Sequence, residues 1–362
     1  MPIMNPTERN RFPEVEVDVG LAYECMQMLC AVCGADEHKD YEVENEWLEQ
    51  IRERISPELR RAIEYVSGSL QDNDIWCDLT GIAYDCEAPR DVPTLIAHIE
   101  AMDALELHLY MLGYYSHSIG KFTSSEVALR AAKGDKDAQK QFLRAVKLGD
   151  VKRLRSTRRL LTLDAASLKS SVLEVLRRWY DEIFREQEAQ ILPILQRDAD
   201  TKCELKSSVA PGRFIELATN GFEYIPEPFT RAVVLVPSFV MRPYVCDIEH
   251  HNVTIFVYPV ADESLVEDSS APPQRLVRLY KALADERRLR ILKKLAAQAY
   301  SLQEMADEMG VAKTTLHHHF VILRSSGLVR LRTSDHRYRL REETFSDVSD
   351  LLEAYLKQER SL

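Results

Sequence analysis

The stretch Ser301-Leu-Gln-Glu-Met-Ala-Asp-Glu-Met-Gly-Val-Ala-Lys-Thr-Thr-Leu-His-His-His-Phe-Val-Ile-Leu-Arg324 decides how the chain is read. Ser301 followed by Glu304 is a capping-box pair, in which each side chain takes up an amide that a helix start leaves without a partner. Leu302, Met305, Ala306 and Met309 recur at helical spacing, so one stripe is buried, and Gly310 supplies the left-handed stop. A second helix is predicted from residue 312 to 325, with Leu316, Phe320 and Leu323 inward and Thr314, His317 and His318 close to the opposite face. Small donors and imidazoles on that face, Thr315 among them, suit base edges in a major groove. Lys313 and Arg324 are expected on phosphates.

Downstream, Val329-Arg-Leu-Arg332, a polar turn and Arg337-Tyr-Arg-Leu-Arg341 alternate with period two. That places Val329, Leu331, Tyr338 and Leu340 on one side of a hairpin and Arg330, Arg332, Arg337, Arg339 and Arg341 on the other. A hairpin with an arginine face reads as a wing for phosphate backbone or minor groove.

The runs Leu279-Tyr-Lys-Ala-Leu-Ala-Asp-Glu-Arg-Arg-Leu-Arg-Ile-Leu292, Glu304-Met-Ala306, Thr314-Thr-Leu-His-His-His-Phe-Val-Ile-Leu-Arg324 and Ser326-Gly-Leu-Val329 together resemble the winged-helix domain of ArsR-type bacterial transcriptional regulators. The resemblance covers the last quarter of the chain. It implies a homodimer on a double-stranded DNA operator, acting as a repressor, with the first and last helices of the domain paired across a two-fold axis. Leu276, Leu279, Leu351, Leu352 and Tyr355 are the residues this places at the seam. Ala312 stands where the family commonly opens its recognition helix with Ser, at a cost of about 1 kcal/mol. Ser301 and Gln303 stand where metal-sensing members carry cysteines, and residues 345–356 lack the His that other members use. Neither family metal site is present as a motif, and no metal or cofactor is expected.

The net charge of −11 would argue against nucleic acid if it were uniform. From Ala271 onward, 17 Lys and Arg stand against 12 Asp and Glu, a net +5, while the preceding residues hold 30 against 46, a net −16. The asymmetry predicts a cationic reader tethered to an acidic body. The expected fold class is mainly α. A helical domain with a small β-sheet occupies residues 1–265, residues 266–274 (acidic, then Ser-Ser-Ala-Pro-Pro) form a linker, and a winged helix-turn-helix domain occupies 275–362. No basic-then-apolar leader opens the chain and no apolar run is long enough to span a bilayer, so a cytoplasmic protein is expected. Seven cysteines form no paired framework. Cys30-x-x-Cys33, with Cys25 and His38 nearby, lies in an apolar helical run and reads as core thiols, not a metal or redox site.

In the front domain the patterns predict an edge strand near residues 14–19 and helices at 21–33, 47–54 and 57–66, the last with Ser56 as N-cap and Pro57 at its first position. Residues 71–93 read as irregular with at most one short helix. Helical stripes over 92–116, broken at Gly113, carry His108, Tyr110, Tyr114, Tyr115 and His117. These could line an effector pocket, but a half-buried helix with polar tips in water is the simpler reading. Short helices follow at 124–132, 135–148 and 150–161, and the basic run of Lys152, Arg153, Arg155, Arg158 and Arg159 reads as a solvated face. The long periodic segment 168–195 should kink or end at Pro193. Strands at 222–225, 232–237 and 253–260 close the domain as a small sheet. His250 and His251 are expected in a surface turn, because strand neighbours face opposite ways and cannot easily share a metal. In its opening strand and helix and in Val233-Val-Leu-Val-Pro-Ser-Phe239, this part resembles an uncharacterised helical domain found ahead of ArsR-type winged helices, which carries no known chemistry.

No phosphate-cradling glycine loop, nucleophile elbow or zinc-type His-Glu-x-x-His occurs, so an enzyme is not expected. Glu216 and Glu223 could be paired as catalytic carboxylates, but 58 acidic residues make such pairs commonplace. The expectation is a dimeric DNA-binding transcriptional regulator reading a pseudo-palindromic operator, with the front domain sensing a small-molecule effector or building the dimer. The alternative is a winged-helix protein-interaction module that does not read DNA.

Overall fold

The computed structural model describes residues 12–34, 41, 45–70, 74–115, 117–149, 151–265 and 272–358. Residues 1–11, His38, residues 266–271 of the expected linker and the side chain of His117 lie outside that description. The fold is mainly α, a helical front domain with a small sheet followed by the helix-turn-helix domain.

The front domain is built on helix Leu21–Cys33, all thirteen residues of which are buried. A helix apolar all round has no outward face and must be enclosed. Helices Asn45–Arg54 and Asp74–Asp85 pack against it. Gln27 and Glu24 on this helix are each anchored inside through one atom: Gln27 Nε2 donates to Thr80 Oγ1 at 2.8 Å, and Glu24 Oε1 accepts the amides of Phe239 and Val240 at 3.0 and 2.8 Å. Cys25, Cys30 and Cys33 are buried on this helix, and burial pushes the Cys33 thiol up to about 12, which suits core thiols. Helix Pro57–Ser67 starts as its sequence predicts, with Ser56 Oγ accepting from the Leu59 amide at 3.1 Å.

Several local expectations are corrected. Within residues 71–93 lies a twelve-residue helix, Asp74–Asp85, that buries Ile75, Trp76, Leu79, Ile82 and Ala83. Gly81 and the neighbouring aspartates disguise it in sequence. The stripe over 92–116 divides at Asp103, whose side chain caps helix Ala104–Met111, as well as at Gly113. His108 and Tyr110 are not wet tips: both are buried, and His108 Nε2 lies 3.1 Å from the Leu160 carbonyl. Arg153 leaves the supposed solvated face to pair with Asp78 at 2.6 Å and donate to the Met111 carbonyl at 2.9 Å, while Arg155 and Arg158 stay exposed. Pro193 does not end its helix, which runs Glu188–Lys206. The distortion lies on its N-terminal side, in the widened turn Tyr180–Phe184 and the tight turn Arg185–Gln187. Among the described residues no helix is long and apolar enough to cross a membrane.

Eight strands are described: β1 (Glu14–Val17), β2 (Phe222–Glu223), β3 (Ala232–Ser238), β4 (Cys246–His250), β5 (Val253–Pro259), β6 (Tyr300–Ser301), β7 (Val329–Arg332) and β8 (Arg337–Leu340). The front sheet has the order β1-β3-β5-β4, with β1, β3 and β5 parallel and β4 antiparallel to β5. Sequence periodicity missed β4, whose Asp247 and Glu249 interrupt the apolar pattern. Strands covered on both faces read as continuous apolar runs, and β3 and β5 are of this kind. Val234, Val236, Ile255 and Val257 join the main helical core, while Val233, Leu235, Phe256 and Tyr258 meet helix Pro211–Ala218.

That helix leads to the site. After Asn220-Gly221 the chain enters β2, which does not close the front sheet as predicted. It pairs in parallel with β7, giving a second sheet of order β2-β7-β8-β6. The winged domain has its own core around Leu279, Ile291, Leu316, Phe320, Leu323 and Tyr338, with Phe320 and Tyr338 stacked at 3.8 Å between centroids.

Candidate nucleic-acid interface

The first helix of the pair, Leu302–Met309, forms where the capping box predicts it. Glu304 N donates to Ser301 Oγ at 3.2 Å, and Ser301 N donates to Glu304 Oε2 at 2.8 Å. Gly310 closes it with φ 65°, a left-handed position that favours glycine. Helix Lys313–Ser325 follows with Ala312 at its N-cap and no side-chain cap, as the substitution of the usual Ser predicts. Leu316, Phe320 and Leu323 anchor one face to the domain core. Lys313, Thr314, Thr315 and His317 are exposed on the other, and His318 is half-buried at its margin. His319 turns inward, and burial holds its imidazole below the usual range.

The hairpin has the predicted register. Val329 stands opposite Leu340 and Leu331 opposite Tyr338, while Arg330 faces Arg339 and Arg332 faces Arg337. Its charge is not presented as the sequence suggests. Both Arg332 Nε and Nη2 reach Glu223 Oε1, at 3.1 and 3.0 Å. Arg330 lies 3.0 Å from Glu343 and 3.7 Å from Glu216, and Arg341 lies 3.8 Å from Glu216. Arg337 pairs with Glu304 at 2.5 Å and donates to the Ala299 carbonyl at 2.9 Å. Arg339 is exposed, with no ion pair among the described residues.

Glu216 and Glu223, set aside in sequence as coincidental carboxylates, are thus the front domain's contribution to the wing. Glu216 is 6% exposed and holds Arg213 at 2.8 Å besides the two wing arginines. The strand contact is equally specific. Leu331 N donates to the Gly221 carbonyl at 2.7 Å, Thr333 N donates to the Glu223 carbonyl at 3.1 Å, and Asn220 Nδ2 donates to the Ser325 carbonyl at 2.5 Å. Gly221 sits at φ 111°, and a Cβ there would lie 2.8 Å from the Val329 carbonyl oxygen. Only glycine lets the two backbones approach this way. The sequence carried this signal as Asn220-Gly221 between a helix and a strand, but not the strand's partner.

Arg324 is corrected outright. It is buried, donates to the Thr219 carbonyl at 2.9 Å and lies over the Phe222 ring at 4.4 Å, so it is enclosed at the domain boundary and cannot meet phosphate in this arrangement. Burial lowers its pKa to about 10. Two residues assigned to a dimer seam are also withdrawn from it, because Leu276 and Leu279 are buried within the chain. Leu351, Leu352 and Tyr355 on the last helix, Glu342–Gln358, are partly exposed, and Leu356 is 60% exposed. Asp262 supplies a second tie between domains, pairing with the buried Arg242 at 2.5 Å and with Arg278 of helix Gln274–Leu283.

Residues 283–332 match the family model of a helix-turn-helix domain. Over 73 residues the chain is 38% identical to YceK, an uncharacterised HTH-type transcriptional regulator of Bacillus subtilis (strain 168), a match covering 19% of this chain and 72% of that protein. No solved structure matches the chain. The matched segment contains the capped helix, the left-handed turn and the outward-facing second helix described above, and on that ground the chain belongs to the helix-turn-helix-type transcriptional regulators.

Proposed function

We propose that the protein is a homodimeric repressor of the ArsR type, working in the cytoplasm and not as an enzyme. It reads a pseudo-palindromic operator through the exposed face of helix Lys313–Ser325, under control of its front domain. One observation carries the reading: Lys313, Thr314, Thr315 and His317 face outward together on a helix whose opposite face is locked into a core. Base-edge donors on a rigid helix are what major-groove readout requires. The half-exposed stripe of the last helix, ending in Leu356, supplies the apolar surface for a two-fold partner. A small-molecule effector that binds the front domain would alter the operator complex only by favouring one arrangement of the wing over another.

The test is salt-titrated binding of the full-length chain to DNA around its own promoter and to a scrambled duplex. Selective binding with a steep negative salt slope is expected. Equal binding to both duplexes would leave the alternative, a winged helix serving as a protein-interaction module. The pairing of four wing arginines with carboxylates is the observation that favours that second reading.

A further inference from the structure

We propose that Asp85, His250 and His251 form a binding site in the front domain for a first-row divalent transition ion of the Zn²⁺ class. Their ligand atoms lie within 4.8 Å of one another, and among the described residues no other three His, Cys, Asp or Glu side chains converge so closely. The alternation of a regular strand, whose neighbours point to opposite faces, would part the two histidines. It fails here because β4 ends at His250, and His251 opens the two-residue turn into β5 with φ 51°. The left-handed backbone swings the second imidazole round to the first, and the ring centroids come to 4.4 Å.

The three residues differ in the way a metal site needs. His250 is 1% exposed and fixed from both ends, with Nε2 2.9 Å from Asp85 Oδ1 and Nδ1 2.9 Å from the Tyr110 hydroxyl. A hydrogen bond to the non-ligating nitrogen is the usual means of orienting a ligand imidazole and setting its tautomer. An ion would take the place of the proton between Nε2 and Asp85, with Nδ1–H then donating to the Tyr110 hydroxyl and the Nε2 lone pair turned to the ion. Gly81 leaves room for this pair, since a Cβ there would lie 2.0 Å from Tyr110 Oη and 2.8 Å from His250 Nδ1. Asp85 and His251 are exposed and can rotate onto an ion held by the fixed ring. Zn–N and Zn–O bonds of about 2.1 Å put tetrahedral ligand atoms about 3.4 Å apart, within the range these side chains span. Two imidazoles and one carboxylate suit borderline ions over Mg²⁺ or Ca²⁺, and three protein ligands leave a position for water or a further ligand. The aromatic cluster foreseen over 92–116 is the wall of this site, with Tyr115 against His251 at 4.4 Å and Tyr110 against His250 at 5.6 Å.

The experiment is calorimetric titration of the metal-free, full-length protein with ZnCl₂, repeated by absorption with CoCl₂, on the parent chain and on His251→Ala and Asp85→Asn. Both substitutions fall on exposed side chains, and circular dichroism checks that the fold is kept. The expected result is saturable one-to-one binding, weakened at least about 10-fold in each variant, with cobalt absorption lacking thiolate charge transfer. The absence of saturable binding by the parent would overturn the assignment. So would undiminished affinity in both variants, or a cobalt spectrum dominated by thiolate ligation, which would place the ion on the cysteines.

Discussion

Arg332 of the wing and Glu223 of the front domain occupy partner positions across a parallel strand pair, and two guanidinium nitrogens converge on one carboxylate oxygen at 3.1 and 3.0 Å. The charge that Arg332 would offer to phosphate is therefore neutralised from within the chain. Both side chains are 28% exposed, a setting in which an ion pair contributes at most about 1 kcal/mol to stability. Glu223→Gln should therefore leave the fold intact while releasing one cation. Binding to a random duplex should tighten, and the slope of log K against log salt should steepen by about 1, the signature of one further phosphate contact. An unchanged slope would mean that Arg332 stays off the DNA.

Gly221 decides whether β2 can lie beside β7. Gly221→Ala would force an L side chain into φ 111° with its Cβ 2.8 Å from the Val329 carbonyl oxygen, a strain of about 1–3 kcal/mol. The two wing amides that donate to the front domain, Leu331 and Thr333, should lose protection in hydrogen exchange, while amides of helix Lys313–Ser325 keep theirs. Uniform loss across the winged domain would show instead that the domain needs the strand contact to fold.

Glu24 makes stability depend on pH. It is buried, and desolvation raises its carboxyl from 4.5 to about 7, against the lowering effect of the Val240 and Phe239 amides that it accepts. Between those values the unfolded chain has lost the proton that the folded chain keeps. The unfolded state then binds fewer protons, so this group's contribution to stability falls as pH rises through the window and is flat above it. The full effect is up to about 3 kcal/mol. Glu24→Gln keeps the acceptor oxygen and removes the titration. Denaturant unfolding at both ends of the window should therefore show a smaller loss with pH in the variant than in the parent, and parallel curves would exclude Glu24 as the source.

The local rules were legible and the long-range ones were not. Ser301 with Glu304, Ser56 with Pro57, and the alternation of β7 and β8 each involve residues close in sequence whose geometry follows from backbone hydrogen bonding, and each forms as read. Arg324 fits the same helix pattern, but pattern says nothing of the Thr219 carbonyl and Phe222 ring that enclose it from a hundred residues away. Glu216 and Glu223 failed as signals for the opposite reason: among 58 acidic residues nothing local marks the two that meet arginines. His250 is buried at the end of β4 and not in a surface turn, and the left-handed His251 brings the two rings together where the alternation of a strand would part them.

The outward face of helix Lys313–Ser325 separates affinity from specificity. Lys313 stands exposed in the first turn, where a flexible ammonium meets the backbone as a point charge. Lys313→Ala should weaken operator and scrambled DNA alike and reduce the salt slope by about 1. His317, one turn further on, is exposed on the face that would meet bases. His317→Ala should cost about 1–3 kcal/mol on the operator, far less on scrambled DNA, and relax preference at one base pair of each half-site. His318 is half-buried, so its replacement should cost less specificity than that of His317. Measuring all three variants on both duplexes across a salt series tests the orientation of the helix directly. A larger specificity loss at His318 than at His317 would require the helix to roll in the groove away from the face that the domain core now fixes.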